Sequence, residues 1–264
     1  MTDEEVAHFA EHGWVMLRGL LDAQLARDLL DRAKAMTNLE ADQSSGVLSG
    51  VRNAIFEADP LFARLALSAS LGKMAAQLLG ERVAMRRLEH KLMVKPAEDA
   101  RKRTRPTMPH QDHLRPFRSN AAQFWIALDE VTPEMGSMWF LGGSQKFGLL
   151  GGGLLGRTNE LVGPDEFASL EAVFDRFPRL RQCELSEPQR YAPGDVTVHH
   201  GLTLHGASAN TTDRTRWAYR VVFFPADAIY TGEPNYRYTD GLGLSAGQQF
   251  DHPNFPVVWT PQSL

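Results

Sequence analysis

Short strand-like segments, most of them after Gly80, limit the folds open to this chain more than any other feature of its sequence. They are rich in β-branched and aromatic residues and are bounded by turn residues such as Pro193 and Gly194, a pattern typical of antiparallel strands. Many short strands broken by turns favour a sheet that closes as a sandwich or barrel. The segments predicted to be strands are 13–18, 82–94, 123–131, 137–141, 183–185, 195–199 and 217–224.

Helical patterns occupy much of the chain before Gly80. Thr2 and Glu5 have the spacing of a capping box, which predicts a short N-terminal helix. Asp22 can cap a second helix, and Ser70 can cap a third that ends at Gly80. Helices followed by strands predict an α+β chain that is mainly β. The helical part is too small to hold a good core alone, so we expect one domain rather than two.

Composition and charge exclude several classes of function. The net charge of -4 and the isoelectric point of about 6.1 provide no general attraction to nucleic acid or to an anionic membrane. The single cysteine, Cys183, suits a reducing compartment. Neither a signal peptide nor an apolar membrane span is evident in the sequence. We therefore expect a cytoplasmic protein with a small-molecule substrate, and the sequence makes no prediction of its oligomeric state.

His110 and Asp112 are the first candidate site residues. Strand side chains alternate between faces, so a histidine and a carboxylate two positions apart can bind one metal ion. A second histidine would complete the set of two imidazoles and one carboxylate that leaves adjacent positions open on Fe(II) for a 2-oxo acid and O2. His199, His200 and His205 compete for that role. Adjacent residues point to opposite faces, so at most one of His199 and His200 can take part, and spacing alone leaves the choice open.

Three further segments, taken with this pair, resemble the phytanoyl-CoA dioxygenase family: WIALD at 125–129, FLGGS at 140–144 and HGASAN at 205–210. Weaker similarity at 11–19, 56–62 and 91–96 extends the resemblance to roughly residues 5–224. The resemblance implies a double-stranded β-helix (a jelly-roll, cupin-like core) with N-terminal and flanking helices. We expect a single oxygenase domain over 1–264, with mainly helical support at 1–80, the β-helix core at 81–230 and an irregular C-terminal tail at 231–264.

The resemblance also implies roles for individual residues. It selects His205 as the third ligand of Fe(II), beside His110 and Asp112. It selects Arg216 to bind the far carboxylate of the co-substrate 2-oxoglutarate, a task that suits a planar and permanently charged guanidinium. Trp125 resembles a tryptophan that lines the co-substrate pocket, and a purely structural role in the core is the alternative.

One position departs from the family. A serine commonly stands two residues after the distal histidine and assists the co-substrate carboxylate, whereas this chain has Ala207. Ser208 is adjacent, but its side chain should point elsewhere. One contact to the co-substrate is therefore unaccounted for. Arg214 and Arg220 compete with Arg216 when the sequence is considered alone.

The reaction implied by the resemblance is O2-dependent hydroxylation of an unactivated C–H bond, with release of succinate and CO2. Asp112 argues against halogenation, because relatives that halogenate lack this carboxylate. Epimerisation, desaturation and ring closure stay open. Arg115 and Arg118 favour an anionic group on the substrate, and we expect residues 114–118 and the loop 148–157 to line its pocket.

Two other classes of protein fit the same residues. One is a cupin-like metalloenzyme that uses Zn or Mn as a Lewis acid and does not need O2. The other is a binding protein without catalytic activity on the same scaffold. Turnover of 2-oxoglutarate would separate the first class from an oxygenase, and metal binding would separate the second.

Overall fold

The computed structural model describes residues 1–36, 59–97, 105–112, 117–118, 120–150, 169–233 and 239–261, with only the backbone at 117–118. The α-helices in these ranges are α1 (Asp3–His12), α2 (Ala23–Met36), α3 (Pro60–Ala66), α4 (Ala69–Leu79) and α5 (Leu170–Arg176). None of the helices in the described ranges is both long enough and apolar enough to cross a membrane. The first four precede the long strands of the chain, and three of them, α1, α2 and α4, were predicted from the sequence.

The helix starts follow the local sequence. Thr2 and Glu5 form the predicted capping box, with the Thr2 hydroxyl accepting from the Glu5 amide at 3.2 Å. Asp22 accepts from two amides in the first turn of α2, as expected. The predicted cap of α4 was wrong by two positions. Ser68 accepts the capping hydrogen bond, because the helix begins directly after it and encloses Ser70.

The strands in chain order are β1 (Trp14–Leu17), β2 (Met85–Lys95), β3 (Thr107–His110), β4 (Phe117–Arg118), β5 (Ala122–Ala127), β6 (Met138–Gly142), β7 (Glu184–Leu185), β8 (Val196–His200), β9 (His205–Ala207), β10 (Arg216–Pro225), β11 (Ile229–Tyr230) and β12 (Val257–Trp259). A six-stranded sheet has the order β1-β8-β5-β10-β2-β12, and a four-stranded sheet has the order β3-β9-β6-β7. Each pair of neighbouring strands is antiparallel. The crossing order of the strands is that of a double-stranded β-helix, which confirms the predicted fold class.

The two sheets are joined by apolar residues that pack between them. Trp125 of β5 and Ala218 of β10, in the larger sheet, belong to the same buried cluster as Met138 and Phe140 of β6 and Ala207 of β9. The rings of Trp14 and Phe140 stack at 4.9 Å, which adds a contact from β1. This cluster forms the interior of the β-helix.

Side chains along β10 alternate between this interior and a second core beneath the helices. The residues that face the helices are Trp217, Tyr219, Val221 and Phe223, which share a cluster with Leu29, Phe62, Leu71 and Ala75. The residues between them, Arg216, Ala218 and Arg220, face the interior. On β2, Leu92 and Val94 belong to the helix-side core, so Lys91, Met93 and Lys95 face inward.

Both edges of the larger sheet come from outside the segment 81–230. β1 forms one edge, and β12 forms the other by pairing with β2. The expectation of an irregular tail was wrong at β12, whose length of three residues is too short to show an alternating pattern. The sequence analysis also did not predict α3 and α5, which have seven residues each. Residues 37–50, whose polar and Ser/Gly-containing sequence predicts a loop, lie outside the described residues.

Candidate metal centre

His110 and His205 lie directly opposite each other on β3 and β9. Their ring centroids are 4.2 Å apart. Asp112 follows the end of β3 and is 6% exposed. Its Oδ1 lies 3.7 Å from Nε2 of His110, and its Oδ2 lies 3.7 Å from Nε2 of His205. The structure thus brings together the three residues predicted to be metal ligands.

The close packing of the strands requires a glycine directly after His205. A Cβ atom at Gly206 would collide with the ring of Trp139 and would lie 2.9 Å from the carbonyl oxygen of Thr107. Only glycine allows β9 to lie between β3 and β6 at this point. The His-Gly pair in the sequence therefore has a steric cause as well as a chemical one.

The three side chains offer one donor atom each, all within 4.8 Å of one another. Donor atoms about 2.1 Å from one ion are at most about 4.2 Å apart, so little movement is needed for a shared ion. Two imidazoles and one carboxylate form the donor set that binds Fe(II) on one face and leaves other positions open. The residues therefore fit a mononuclear iron site.

Hydrogen bonds on the far side of each imidazole orient the nitrogen that faces the centre. Nδ1 of His110 is 2.8 Å from the carbonyl oxygen of Met108, and Nδ1 of His205 is 3.0 Å from that of Thr203. A carbonyl oxygen can only accept, so each Nδ1 carries the proton and each Nε2 keeps its lone pair. Both rings are thus in the tautomer that binds a metal through Nε2.

Gln111, between the two predicted ligands in the sequence, points away from the centre and supports the backbone there. Its side-chain amide donates to the carbonyl oxygens of Gly148 at 3.0 Å and Leu202 at 2.7 Å. Its Oε1 accepts from the Leu150 amide at 2.9 Å. These three hydrogen bonds connect the end of β3 to two loops, and they fix the backbone that carries His110 and Asp112.

His199 is the histidine that spacing left in competition with His205. Its Nε2 lies 3.2 Å from Oδ2 of Asp112, and its ring centroid is 4.4 Å from that of His205. A carboxylate oxygen accepts, so Nε2 of His199 carries a proton and has no lone pair for a metal. The adjacent His200 faces the other way and accepts a hydrogen bond from a loop amide. This geometry favours His205 as the third ligand and gives His199 the position of a neighbour that supports Asp112.

An ion-pair network holds the second oxygen of the carboxylate. Arg220 donates from one guanidinium nitrogen to Oδ2 of Asp112 at 2.8 Å and from another to Glu89. Glu89 also lies 3.6 Å from Nζ of Lys91. Oδ2 thus accepts from Arg220 and from His199, which leaves Oδ1 to face the metal position. This pairing also disfavours Arg220 as the residue that binds the co-substrate.

The pKa values of Asp112 and His205 are shifted in the direction that metal binding requires. Burial raises the pKa of Asp112, but the hydrogen bond from His199 and the interactions with His205 and His110 outweigh burial and hold that pKa well below its usual range. Burial, followed by the nearby His110 and His199, lowers the pKa of His205 well below its ordinary value. The carboxylate therefore stays ionised beside a neutral imidazole.

Arg216 lies four residues before Arg220 on the same inner face of β10. It is 3% exposed, it donates to the carbonyl oxygen of Gly136, and its guanidinium carbon is 5.4 Å from the centroid of the Trp125 ring. Its Nε is buried without a hydrogen-bond partner. Burial lowers the pKa of Arg216 to about 10, while Tyr191 acts in the opposite direction. A buried guanidinium over a tryptophan ring, with no carboxylate partner among the described residues, fits a site for an anion.

Sequence reasoning missed three buried polar residues that contact this region: Gln111, Glu89 and Lys95. The signal for the two on β2 was present, because charged residues stand at 89, 91 and 95 in a strand with many apolar residues. The separations of two and four residues place all three side chains on one face of the strand. No comparable signal marks Gln111, since its partners are backbone groups of distant loops.

Part of the predicted substrate pocket lies outside the described residues, namely 114–116 and 151–157. At Arg118 only the backbone is described, and it pairs with Ile229 between β4 and β11. The described end of the loop, 148–150, is tied to β3 through Gln111.

A jelly roll with two imidazoles and one carboxylate in its interior is the architecture of a mononuclear metal protein. Residues 9–218 match the phytanoyl-CoA dioxygenase (PhyH) family. This match covers more than half of the chain, and the chain belongs to that family.

Two curated relatives illustrate how much of the chain aligns with whole proteins. The "Phytanoyl-CoA dioxygenase domain-containing protein 1 homolog" of Caenorhabditis briggsae is 29% identical over 132 residues, which are 49% of this chain and 41% of that protein. The "Phytanoyl-CoA dioxygenase domain-containing protein 1" of Danio rerio is 28% identical over 116 residues, which are 42% of this chain and 36% of that protein. The chain thus aligns with less than half the length of these relatives.

Solved structures with the same fold cover nearly the whole chain. The epimerase SnoN in complex with Fe3+, alpha ketoglutarate and nogalamycin RO has a TM-score of 0.72 at 24% identity and covers 97% of this chain and 98% of its own. The carbocyclase SnoK from nogalamycin biosynthesis has a TM-score of 0.70 at 24% identity, with 97% and 96% covered. EctD from S. alaskensis with 2-oxoglutarate and 5-hydroxyectoine has a TM-score of 0.65 at 19% identity, with 87% and 78% covered. At these identities the similarity shows the fold.

Proposed function

We propose that the chain is a non-haem Fe(II)- and 2-oxoglutarate-dependent dioxygenase that hydroxylates an unactivated C–H bond of a small molecule. His110, Asp112 and His205 would hold Fe(II), and Arg216 would bind the far carboxylate of 2-oxoglutarate beside Trp125. The observation that carries this proposal is the set of donor atoms from His110, Asp112 and His205, which lie within 4.8 Å of one another. Membership of the PhyH family supports the same activity.

Fe(II) held by these ligands would supply O2 activation coupled to decarboxylation of 2-oxoglutarate to succinate and CO2. The residues of the chain bind, orient and exclude water. His199 and Arg220 hold the carboxylate of Asp112 in place through its Oδ2. The Phe140 ring, which is fully buried, lies 6.0 Å from the His205 ring and 5.5 Å from the His199 ring. This apolar wall lowers the local dielectric and disfavours a positive charge on the His205 imidazole, whose pKa burial lowers.

Anaerobic reconstitution with Fe(II) and 2-oxoglutarate tests the proposal. We expect a weak visible metal-to-ligand charge-transfer band in the native protein. His110→Ala should abolish the band, and Arg216→Ala should raise the 2-oxoglutarate concentration it needs by about tenfold to a hundredfold, because a charged hydrogen bond is lost. His252→Ala, at a histidine that packs on Phe255, is the matched control and should leave the band unchanged.

The outcome that would reject the proposal is a folded, iron-loaded native protein without the band. The cupin-like metalloenzyme would then be favoured, and it should retain its activity in anaerobic buffer. Failure of the folded chain to bind any metal would favour a non-catalytic binding protein.

The same ligand set also allows outcomes other than hydroxylation. SnoN is described as an epimerase and SnoK as a carbocyclase, and both have this fold. Product mass separates the outcomes. Hydroxylation adds one oxygen atom to the substrate, epimerisation leaves the mass unchanged, and desaturation or ring closure removes two hydrogen atoms. We propose hydroxylation, so a product that lacks the added oxygen would contradict this finer assignment.

Arg115 and Arg118 support a further element of the proposal, an anionic group on the substrate. A guanidinium pairs with carboxylates and phosphates through two parallel hydrogen bonds. Replacing both arginines with glutamine should raise the KM for the substrate without changing the 2-oxoglutarate requirement. An unchanged KM for the substrate would remove this element.

A further inference from the structure

Lys95 and Arg216 form a pair of buried cations inside the β-helix, which we call the cationic pair. They are direct partners across β2 and β10. Lys95 is 1% exposed and Arg216 is 3% exposed. Their sequence neighbours Val94 and Trp217 belong to the core beneath the helices, so both cationic side chains face the interior.

The two side chains converge on two segments of backbone, at Gly136 and Ser208, that lie against each other. Nζ of Lys95 donates to the carbonyl oxygen of Ser208, and the guanidinium of Arg216 donates to that of Gly136. A Cβ atom at Gly136 would collide with the Ser208 carbonyl and lie 3.1 Å from Nζ of Lys95. Gly136 has a φ of 75°, a conformation that also requires glycine. The ammonium and the guanidinium therefore line the same small region.

Charge in this region is unbalanced. Among the described residues, no carboxylate lies within salt-bridge distance of Lys95 or Arg216. Nε of Arg216 is buried and has no hydrogen-bond partner. Burial first, and then the charge of Arg216, lower the pKa of Lys95 to about 6. Lys95 therefore loses its proton near neutral pH when no anion is present, and a carboxylate bound beside Lys95 and Arg216 would stabilise its protonated form.

We propose that Lys95 is a second binding residue for the far carboxylate of the 2-oxo diacid, acting together with Arg216. The proposal rests on the proposed function, which by itself assigns only Arg216. It also accounts for the contact that Ala207 lacks. The ammonium reaches the carbonyl of Ser208, the residue next to Ala207, so it lies beside the backbone where a serine hydroxyl would otherwise help to bind the carboxylate.

The competing explanation is structural. A neutral amine at Lys95 that only donates to Ser208 would hold β2 against the segment after β9 and would have no preference for any ligand. The two explanations differ in their dependence on the far carboxylate. A binding residue distinguishes 2-oxoglutarate from 2-oxobutyrate, which has the same chelating end and no second carboxylate, whereas a structural residue affects both ligands alike.

The test is the dissociation constant of each 2-oxo acid, measured from the charge-transfer band of the anaerobic Fe(II) protein. Lys95→Met keeps the length of the side chain and removes its charge. It should raise the constant for 2-oxoglutarate by about tenfold to a hundredfold and change that for 2-oxobutyrate by less than about twofold. Lys146→Met, at a half-exposed lysine paired with Glu11, is the control and should change neither constant.

Each result decides the matter. Equal shifts for the two acids, or no shift for either, would assign Lys95 a structural role and overturn the inference while the band upholds the proposed function. If the native protein gives no band, the proposed function fails, and glutarate is titrated into the metal-free chains by calorimetry instead. Glutarate binding that is lost in both Lys95→Met and Arg216→Met would still support the anion site, and binding that is absent or equal in all chains would overturn it.

Discussion

Two polar regions inside the β-helix carry buried charge in opposite ways. Around Asp112, two carboxylates and two cations form a chain of ion pairs. Arg220 lies between Asp112 and Glu89, and Glu89 also pairs with Lys91. The cationic pair lies on the same two strands, with Arg216 four residues before Arg220 and Lys95 four residues after Lys91. No described carboxylate is present there. At about 3.3 Å per residue the two regions are about 13 Å apart along β10. Burial is nearly complete in both, so the presence of partners is what distinguishes them.

This difference indicates that the first region contributes to the stability of the fold and that the second is suited to bind a ligand. Where every buried charge has a partner, the charges are part of the folded state, and removing one leaves another uncompensated. Where two like charges lack a partner, the protein bears a cost that a ligand can remove. The region around Asp112 is thus preorganised for a cation, and the cationic pair is preorganised for an anion.

The largest expected effect comes from removing a paired charge. Arg220→Met should lower the free energy of unfolding of the metal-free protein by about 3–5 kcal/mol, because Asp112 and Glu89 then remain buried without their shared cation. The matched control is Arg214→Met, whose half-exposed guanidinium also contacts two acids and should cost at most about 1 kcal/mol. Urea unfolding measures both. Equal losses would contradict the contrast between the two kinds of charge.

The next effect concerns pH and the unpaired lysine. The pKa of Lys95 falls from 10.5 to about 6 in the folded chain, through burial and the charge of Arg216. Between these values the unfolded chain binds more protons, so the free energy of unfolding rises with pH. The free energy of unfolding of the native protein, minus that of Lys95→Met, should therefore increase by up to about 1.4 kcal/mol per pH unit above pH 6.

Unfolding measured at several pH values between 6 and 9, about two thirds of that window, checks this slope. Lys146→Met should show no such trend relative to the native chain, because its ammonium is half-exposed. Saturating glutarate should flatten the slope, since a carboxylate beside Lys95 favours its protonated form. A flat difference without any ligand would mean that Lys95 keeps its proton in the folded chain.

The smallest effect tests the neighbour of the metal ligands. His199→Phe removes the hydrogen bond to Asp112 and should weaken Fe(II) binding by about tenfold, as expected for a residue that orients a ligand. His200→Phe alters the adjacent side chain, which faces away from the centre, and should leave the Fe(II) affinity unchanged. Anaerobic competition with a chelator measures both. Loss of metal binding by several orders of magnitude in His199→Phe would indicate that His199 is itself a ligand.

Local spacing predicted the parts of the site that lie on one strand. The two-residue separation of His110 and Asp112 indicated that both side chains can reach one metal position, because a strand repeats every two residues. The third histidine needed more, since His199 and His205 both reach Asp112 and only the hydrogen-bond geometry separates them. Short strands and turns predicted only a sheet closed as a sandwich or barrel, and the family resemblance implied the double-stranded β-helix. The edge strand β12 was too short to be recognised.

The remaining features depend on pairings that no local pattern contains. Lys95 is a notable charge only once β2 lies beside β10, which places its ammonium next to Arg216. Gln111 binds loops that are 37 and 91 residues away in the sequence. The cap of α4 shows the ordinary limit at a helix end, where Ser68 and Ser70 are equally good candidates until the helix start is known.

A crystal structure of the protein prepared without O2, with Fe(II) and 2-oxoglutarate, tests the central claim most directly. We predict iron bound by His110, Asp112 and His205, and the far carboxylate within about 3.2 Å of both Nζ of Lys95 and the guanidinium of Arg216. Iron bound through His199 in place of His205, or a carboxylate that contacts neither cation, would contradict the division of the interior into a cation site and an anion site.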